Sequence, residues 1–177
     1  IRRYLVRFDY AGIVLYDPLN VRYATDSTNM QVWLLHNASR YVFVPAEGPV
    51  ILWEFSGCEF LSQHLPLIDE IRLSVPWFYM SAGNRYTEQA GRWAAEIADL
   101  VHQHGGGNKR FAIDRCNHEG VAALASHDIE VRNGEEVMEL AREIKCAEEI
   151  KAMRCAIYAC ERSMEVMSMR RATRRRR

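Results

Sequence analysis

The sequence predicts an α/β protein in which a mixed sheet is covered by helices. Two observations carry that prediction. Short apolar, β-branched runs come first, at hairpin spacing. Later runs of the same kind alternate with longer segments of helical period. At 177 residues the chain is sized for one substantial domain, not two complete ones.

Taken in order, residues 2–8 read as the end of a helix, with Gly12 placed to stop it. Residues 13–16 (IVLY) form a buried strand that the Asp17-Pro18-Leu19-Asn20 turn breaks. Residues 30–35, 41–45 and 50–55 continue as an antiparallel meander, turning at residues 36–40 and 46–49. A short helix is expected in CEFLSQHL (residues 58–65) and a strand over residues 70–75. Residues 87–104 carry a helical stripe of Ala90, Trp93, Ala94, Ile97, Leu100 and Val101. Thr87 is the expected cap of that helix, and Gly105-Gly106-Gly107 its stop. A strand over residues 110–114, a helix capped by Asn117 and a last strand over residues 129–134 follow. Helices over residues 135–143 and 147–169 close the pattern.

Charge and composition exclude several classes. Lys+Arg and Asp+Glu balance at 23 each, but six arginines lie in the last eight residues. The remaining body sets 17 basic groups against 23 acidic ones, which argues against a nucleic-acid surface. The tail, residues 170–177, reads as a disordered or out-of-frame end, or else as a polyanion binder. No apolar run is long enough to span a bilayer, and no signal peptide opens the chain. Five cysteines, an odd number without a CxxC pair, suggest reduced thiols and a cytoplasmic protein. Residue 1 falls inside a helical pattern, so the chain is expected to start within its natural domain.

No catalytic constellation survives inspection. His104-Gly105-Gly106-Gly107 resembles an oxyanion loop, but the sequence has no GxSxG elbow to go with it. His102 and His104 point to different helix faces, and His118-Glu119 lacks a second histidine at metal spacing. The distinctive stretch is residues 17–33, DPLNVRYATDSTNMQVW, with small polar groups packed between two apolar runs. It reads either as turn and cap chemistry or as a loop that shapes a pocket or interface. Trp33, His36 and Asn37 lie at the far end of that segment.

Two motifs carry a family resemblance. DPLNVRYATDSTN resembles the P-x-N-(I/V)-x-Y-x-(T/S)-(G/D) signature of the creatinase/Xaa-Pro peptidase N-terminal domain, part of the pita-bread metallohydrolases. REIKCAEEIKAMRCA, residues 142–156, resembles the hinge helix that joins this domain to the catalytic one. YATDSTNMQ and HGGGN together look most like the dimethylsulfoniopropionate lyase branch. The resemblance implies a six-stranded mixed sheet of ribonuclease H-like topology over residues 1–143, a hinge helix over residues 144–169, and a catalytic domain absent from this chain. It implies no catalytic residue, metal or cofactor here, the divalent metal pair belonging to the missing domain. It further implies a homodimer whose residues 29–40 gate substrate or touch the partner, through Trp33, His36, Asn37 and Arg40, with Asp26 just ahead of them. Asp26 stands where peptidases of the family more often have glycine. Trp33 would offer an aromatic face to a cationic sulfonium or ammonium group, and Arg40 would face a carboxylate. Packing or solvation is the alternative role for each. X-Pro dipeptides, dimethylsulfoniopropionate, ectoine derivatives and creatine-like molecules are the substrates such a parent would take. A stand-alone binding or scaffold module of the same fold is the other reading.

Overall fold

The computed structural model describes residues 1–30, Trp33 and residues 35–174, with residues 170–174 described as backbone alone. The chain divides into two compact units, Ile1–Ala141 and the segment from Arg142 onward.

Among its described residues the first unit holds six strands: β1 (Gly12–Leu15), β2 (Tyr41–Pro45), β3 (Ile51–Glu54), β4 (Glu70–Leu73), β5 (Arg110–Ile113) and β6 (Glu130–Asn133). Their order across the sheet is β4-β3-β2-β1-β5-β6. β1, β2 and β3 pair antiparallel; the β2–β3 pairing is the hairpin expected over residues 41–45 and 50–55, whereas β1, not residues 30–35, takes the other side of β2. β4, β5 and β6 join their neighbours in parallel, each reached through a crossover. The helices are α1 (Arg2–Arg7), α2 (Pro18–Thr25), α3 (Tyr79–Ala82), α4 (Tyr86–His104), α5 (His118–Ala125) and α6 (Glu135–Glu143), followed by α7 (Ala147–Arg174).

Strand period two splits the core between the two faces of the sheet. Val14, Tyr16, Tyr41, Phe43, Ile51, Trp53, Phe111 and Ile113 face the stripe of α4, where Ala90, Trp93, Ala94, Ile97, Leu100 and Val101 are all buried as predicted. Ile13, Leu15, Val42, Val44, Leu52 and Ala112 face the other way, onto Tyr4 and Leu5 of α1, Val21 of α2 and Val137 and Met138 of α6. Two helical layers therefore sandwich the sheet. Aromatic rings fill the first face. Trp77 stacks on Trp93 at 4.6 Å between centroids and donates its indole N–H to the buried Tyr16 hydroxyl at 2.9 Å.

Several local expectations are corrected. Gly12 does not end α1. Asp9 takes the left-handed turn there (φ 56°), and Gly12 begins β1, where a Cβ would meet Pro45 Cα and Val44 O at 3.0 Å. α4 starts one residue before Thr87 and has no side-chain cap, while Gly106 and Gly107, both at positive φ, do lie in its stop. The expected helix in residues 58–65 shrinks to a 3-10 turn, Glu59–Leu61. The described residues of the strand expected over residues 30–35 show no strand. Trp33 is helical and Leu35 lies in a turn, whereas residues 31, 32 and 34 lie outside the described residues. α7 continues to Arg174, past the predicted end at residue 169, and residues 175–177 of the expected tail lie outside the described residues.

Candidate functional site

The polar stretch after β1 begins as cap chemistry. Asp17 caps α2, its carboxylate accepting from Leu19 N at 2.8 Å and Asn20 N at 3.4 Å, with Pro18 in the first turn. Asp114, at the end of β5, ties this corner to the sheet. Its carboxylate accepts from Tyr16 N (2.8 Å), Asp17 N (3.1 Å) and Asn20 Nδ2 (2.9 Å). Burial pushes the Asp114 carboxyl above its ordinary range, outweighing those three donors. At the other end of α2, Asp26 sits in the left-handed region (φ 61°, ψ 8°) and donates its N–H to Arg22 O. That backbone region favours glycine, and Asp is among the few other residues that tolerate it.

Beyond Asp26 the chain dives inward. Thr25 Oγ1 donates to Val21 O at 2.7 Å and accepts from Ser27 N at 3.1 Å. The Ser27 hydroxyl lies 2.6 Å from that of Ser62. Both border an ion pair between Arg40 Nε and Glu54 Oε2 at 2.7 Å, whose side chains are 1% and 0% exposed. Arg40 also donates through Nη2 to Ser27 Oγ. Ser62 Oγ donates to Glu54 Oε2 at 3.3 Å, so its single hydrogen is spent and Ser27 is the donor between the two hydroxyls. Arg40, Ser27, Ser62 and Glu54 thus close a ring of hydrogen bonds. Asn29 Nδ2 and Phe55 N, at 3.1 and 3.2 Å, satisfy the other oxygen of Glu54. Every oxygen of this buried charge is matched, the condition under which a buried pair is tolerated.

The segments that meet at Ser27 and Ser62 turn large apolar groups outward. Met30, Trp33 (42% exposed), Leu35, Phe60 and Leu61 all face solvent. Trp33 leans edge-on against Phe55 at 5.4 Å, one residue after Glu54. Arg115 Nη2 holds Leu35 O at 3.4 Å. Among the described residues the arrangement is an apolar face beside a knot of polar groups that are hydrogen-bonded to one another.

Among the residues singled out in the sequence, the fold uses Arg40 internally: the carboxylate it faces is Glu54. Asn37 is buried and local, accepting from Ser39 Oγ at 2.5 Å and donating its N–H to Trp33 O. His36 is exposed in the turn after Trp33, and Asp26 is exposed at the end of α2, so neither joins the knot. Sequence reasoning missed Glu54, Ser62 and Asp114. The signal for Glu54 was a lone charge closing an otherwise apolar strand, since a buried carboxylate demands a partner. The metal pair of the resemblance does not fit these residues. Among the described residues no group of three or more His, Cys, Asp or Glu is placed to hold an ion. The buried Glu54 and Asp114 carboxylates are already taken by protein donors.

No protein-family model matches the chain. It is 43% identical over 159 residues to the dimethylsulfoniopropionate lyase DddP of Roseovarius nubinhibens, covering 90% of this chain and 36% of that protein. It is 41% identical over 164 residues to DddP of Roseobacter denitrificans, covering 93% of this chain and 37% of the relative. Among solved structures, a dipeptidase from Pyrococcus horikoshii OT3 superposes with a TM-score of 0.59 at 18% identity, over 93% of this chain and 42% of that one. The Creatine_N superfamily domain of a Streptococcus thermophilus dipeptidase matches with a TM-score of 0.50 at 14% identity, over 80% of this chain and 94% of that one. The fold is that of the creatinase-type N-terminal domain. The six-stranded mixed sheet expected from the resemblance is therefore present, and the chain spans little more than a third of the curated lyases it resembles. No helix among the described residues is long and apolar enough to cross a membrane.

Proposed function

We propose that this chain is a non-catalytic domain of a metal-dependent, pita-bread-type hydrolase or lyase, one that pairs with a second copy and shapes access to an active site carried by another domain. The apolar face around Trp33 carries this reading. Its described residues adjoin the Arg40–Glu54 knot, whose polar groups are hydrogen-bonded to one another. The length of the 41–43% identical lyases supports it, because the chain matches only 36–37% of them. An indole at such a face suits a sulfonium substrate, attracting the cation with about 0.5–2 kcal/mol.

The test is a chimera in which this chain replaces the matching third of the Roseovarius lyase. Trp33→Ala in that chimera is expected to raise KM for dimethylsulfoniopropionate by ~2- to 30-fold, the range which that attraction converts to. kcat, metal content and thermal unfolding stay unchanged. An unaltered KM overturns the gating role.

A further inference from the structure

Arg115 follows directly on Asp114 at the end of β5 and reaches two segments at once. Its Nη1 lies 3.9 Å from Asp17 Oδ2, and its Nη2 donates to Leu35 O at 3.4 Å, across 80 residues of sequence. Asp17 is itself fixed: Oδ1 caps α2, and its backbone N–H donates to Asp114 Oδ2 at 3.1 Å. Leu35 belongs to the turn after Trp33, where His36 N and Asn37 N both donate to Trp33 O at 3.0 Å. On the side toward Arg40 that turn runs into the buried knot. A guanidinium suits such a bridge. Its planar fork serves a carboxylate and a carbonyl together, where an ammonium is a point charge.

We infer that Arg115 is a positioning residue, which ties the turn after Trp33 to the capped start of α2 and so sets where the Trp33 ring stands. Its role runs through the indole. The inference deepens the access-shaping role proposed above and rests on it for its functional consequence, while the hold on the turn is read separately. The chain supplies the probe. Of its four tryptophans, Trp53, Trp77 and Trp93 are buried at 0% exposure and Trp33 stands at 42%. Acrylamide, a neutral quencher indifferent to the lost charge, therefore reads Trp33, and Trp33→Phe removes the accessible emission.

Arg115→Met keeps the stem without the fork. It is expected to raise the quenching constant of the accessible emission without lowering the thermal unfolding temperature. Arg115→Lys falls between it and wild type. Asp17→Asn keeps a capping side chain but loses the charge, so it too raises quenching, and combined with Arg115→Met it adds little. In the Roseovarius lyase chimera, Arg115→Met raises KM for dimethylsulfoniopropionate about 2- to 5-fold at unchanged kcat, the scale of a part-exposed charged contact. It has no further effect once Trp33 is replaced by alanine. Quenching that stays at the wild-type level in Arg115→Met overturns the positioning role and leaves the access-shaping role intact. A KM effect that adds to that of Trp33→Ala does the same. Raised quenching with KM unaltered by both Arg115→Met and Trp33→Ala leaves the hold of Arg115 on the turn standing and overturns the access-shaping role.

Discussion

Arg40→Met isolates what the buried knot contributes. The substitution keeps most of the alkyl stem, so little cavity forms, but it strips Glu54 of its closest donor. Glu54 keeps Asn29, Phe55 N and Ser62 while its charge is left unpaired at 0% exposure. Leaving one member of a buried pair alone costs ~3–5 kcal/mol. For a chain of this size that corresponds to a fall in Tm of ~6–20 °C. Urea unfolding followed by tryptophan fluorescence reads the loss, because Trp33 rests on Phe55 beside the pair. Arg40→Met with Glu54→Met removes both charges and is expected to be more stable than the single variant, since apolar replacement of a whole pair is close to neutral. A single variant that loses less than ~1 kcal/mol would show that the pair is not sealed from water.

Three further outcomes follow from the same structure. Gly120→Ala places a Cβ 2.5 Å from Trp77 Cη2 and 2.6 Å from Cys116 Sγ, so it should cost ~1–3 kcal/mol in chemical unfolding, and a neutral result would mean the Trp77 layer is loosely packed. Burial pushes the Cys116 thiol up to about 12, which leaves on the order of 10⁻⁴ of it as thiolate at pH 8. Exposed Cys146, Cys155 and Cys160 should therefore alkylate first, Cys116 reacting only on unfolding, and mass spectrometry of timed samples would expose the opposite order. Asp114 has its carboxyl held above the ordinary 3.8 by burial, so the folded chain keeps a proton that the unfolded chain has released. Its stabilising contribution is complete below 3.8 and is lost as pH rises through the folded value. Unfolding free energies between pH ~4 and ~7 should then shift in favour of Asp114→Asn relative to wild type as pH rises, and a constant difference would refute the assignment.

The sheet was legible because its signals are local. Alternating apolar residues in β1, β2 and β5 and the stripe on α4 each report a face without reference to anything distant. The segment around residues 30–35 was misread for the same reason. Its apolar residues have the composition of a strand, but Met30 and Trp33 face solvent and Trp33 is helical. The knot was only half legible. The clustered Thr25, Ser27 and Asn29 pointed to an unusual environment, but their partners Glu54 and Ser62 lie 25 or more residues away and are brought there by β3 and the turn after it. Asp114 was hidden likewise, since 94 residues separate it from Asn20. Sequence spacing carries no information about such pairs until the strand order is known.

We propose that this chain shapes and pairs but performs no chemistry. Metal analysis and turnover on one purified preparation test it most directly, after incubation with Mn, Fe, Zn and Co in turn. The expected result is no stoichiometric metal, no dimethyl sulfide from dimethylsulfoniopropionate and no proline from X-Pro dipeptides. One bound ion per chain accompanied by release of either product would contradict it.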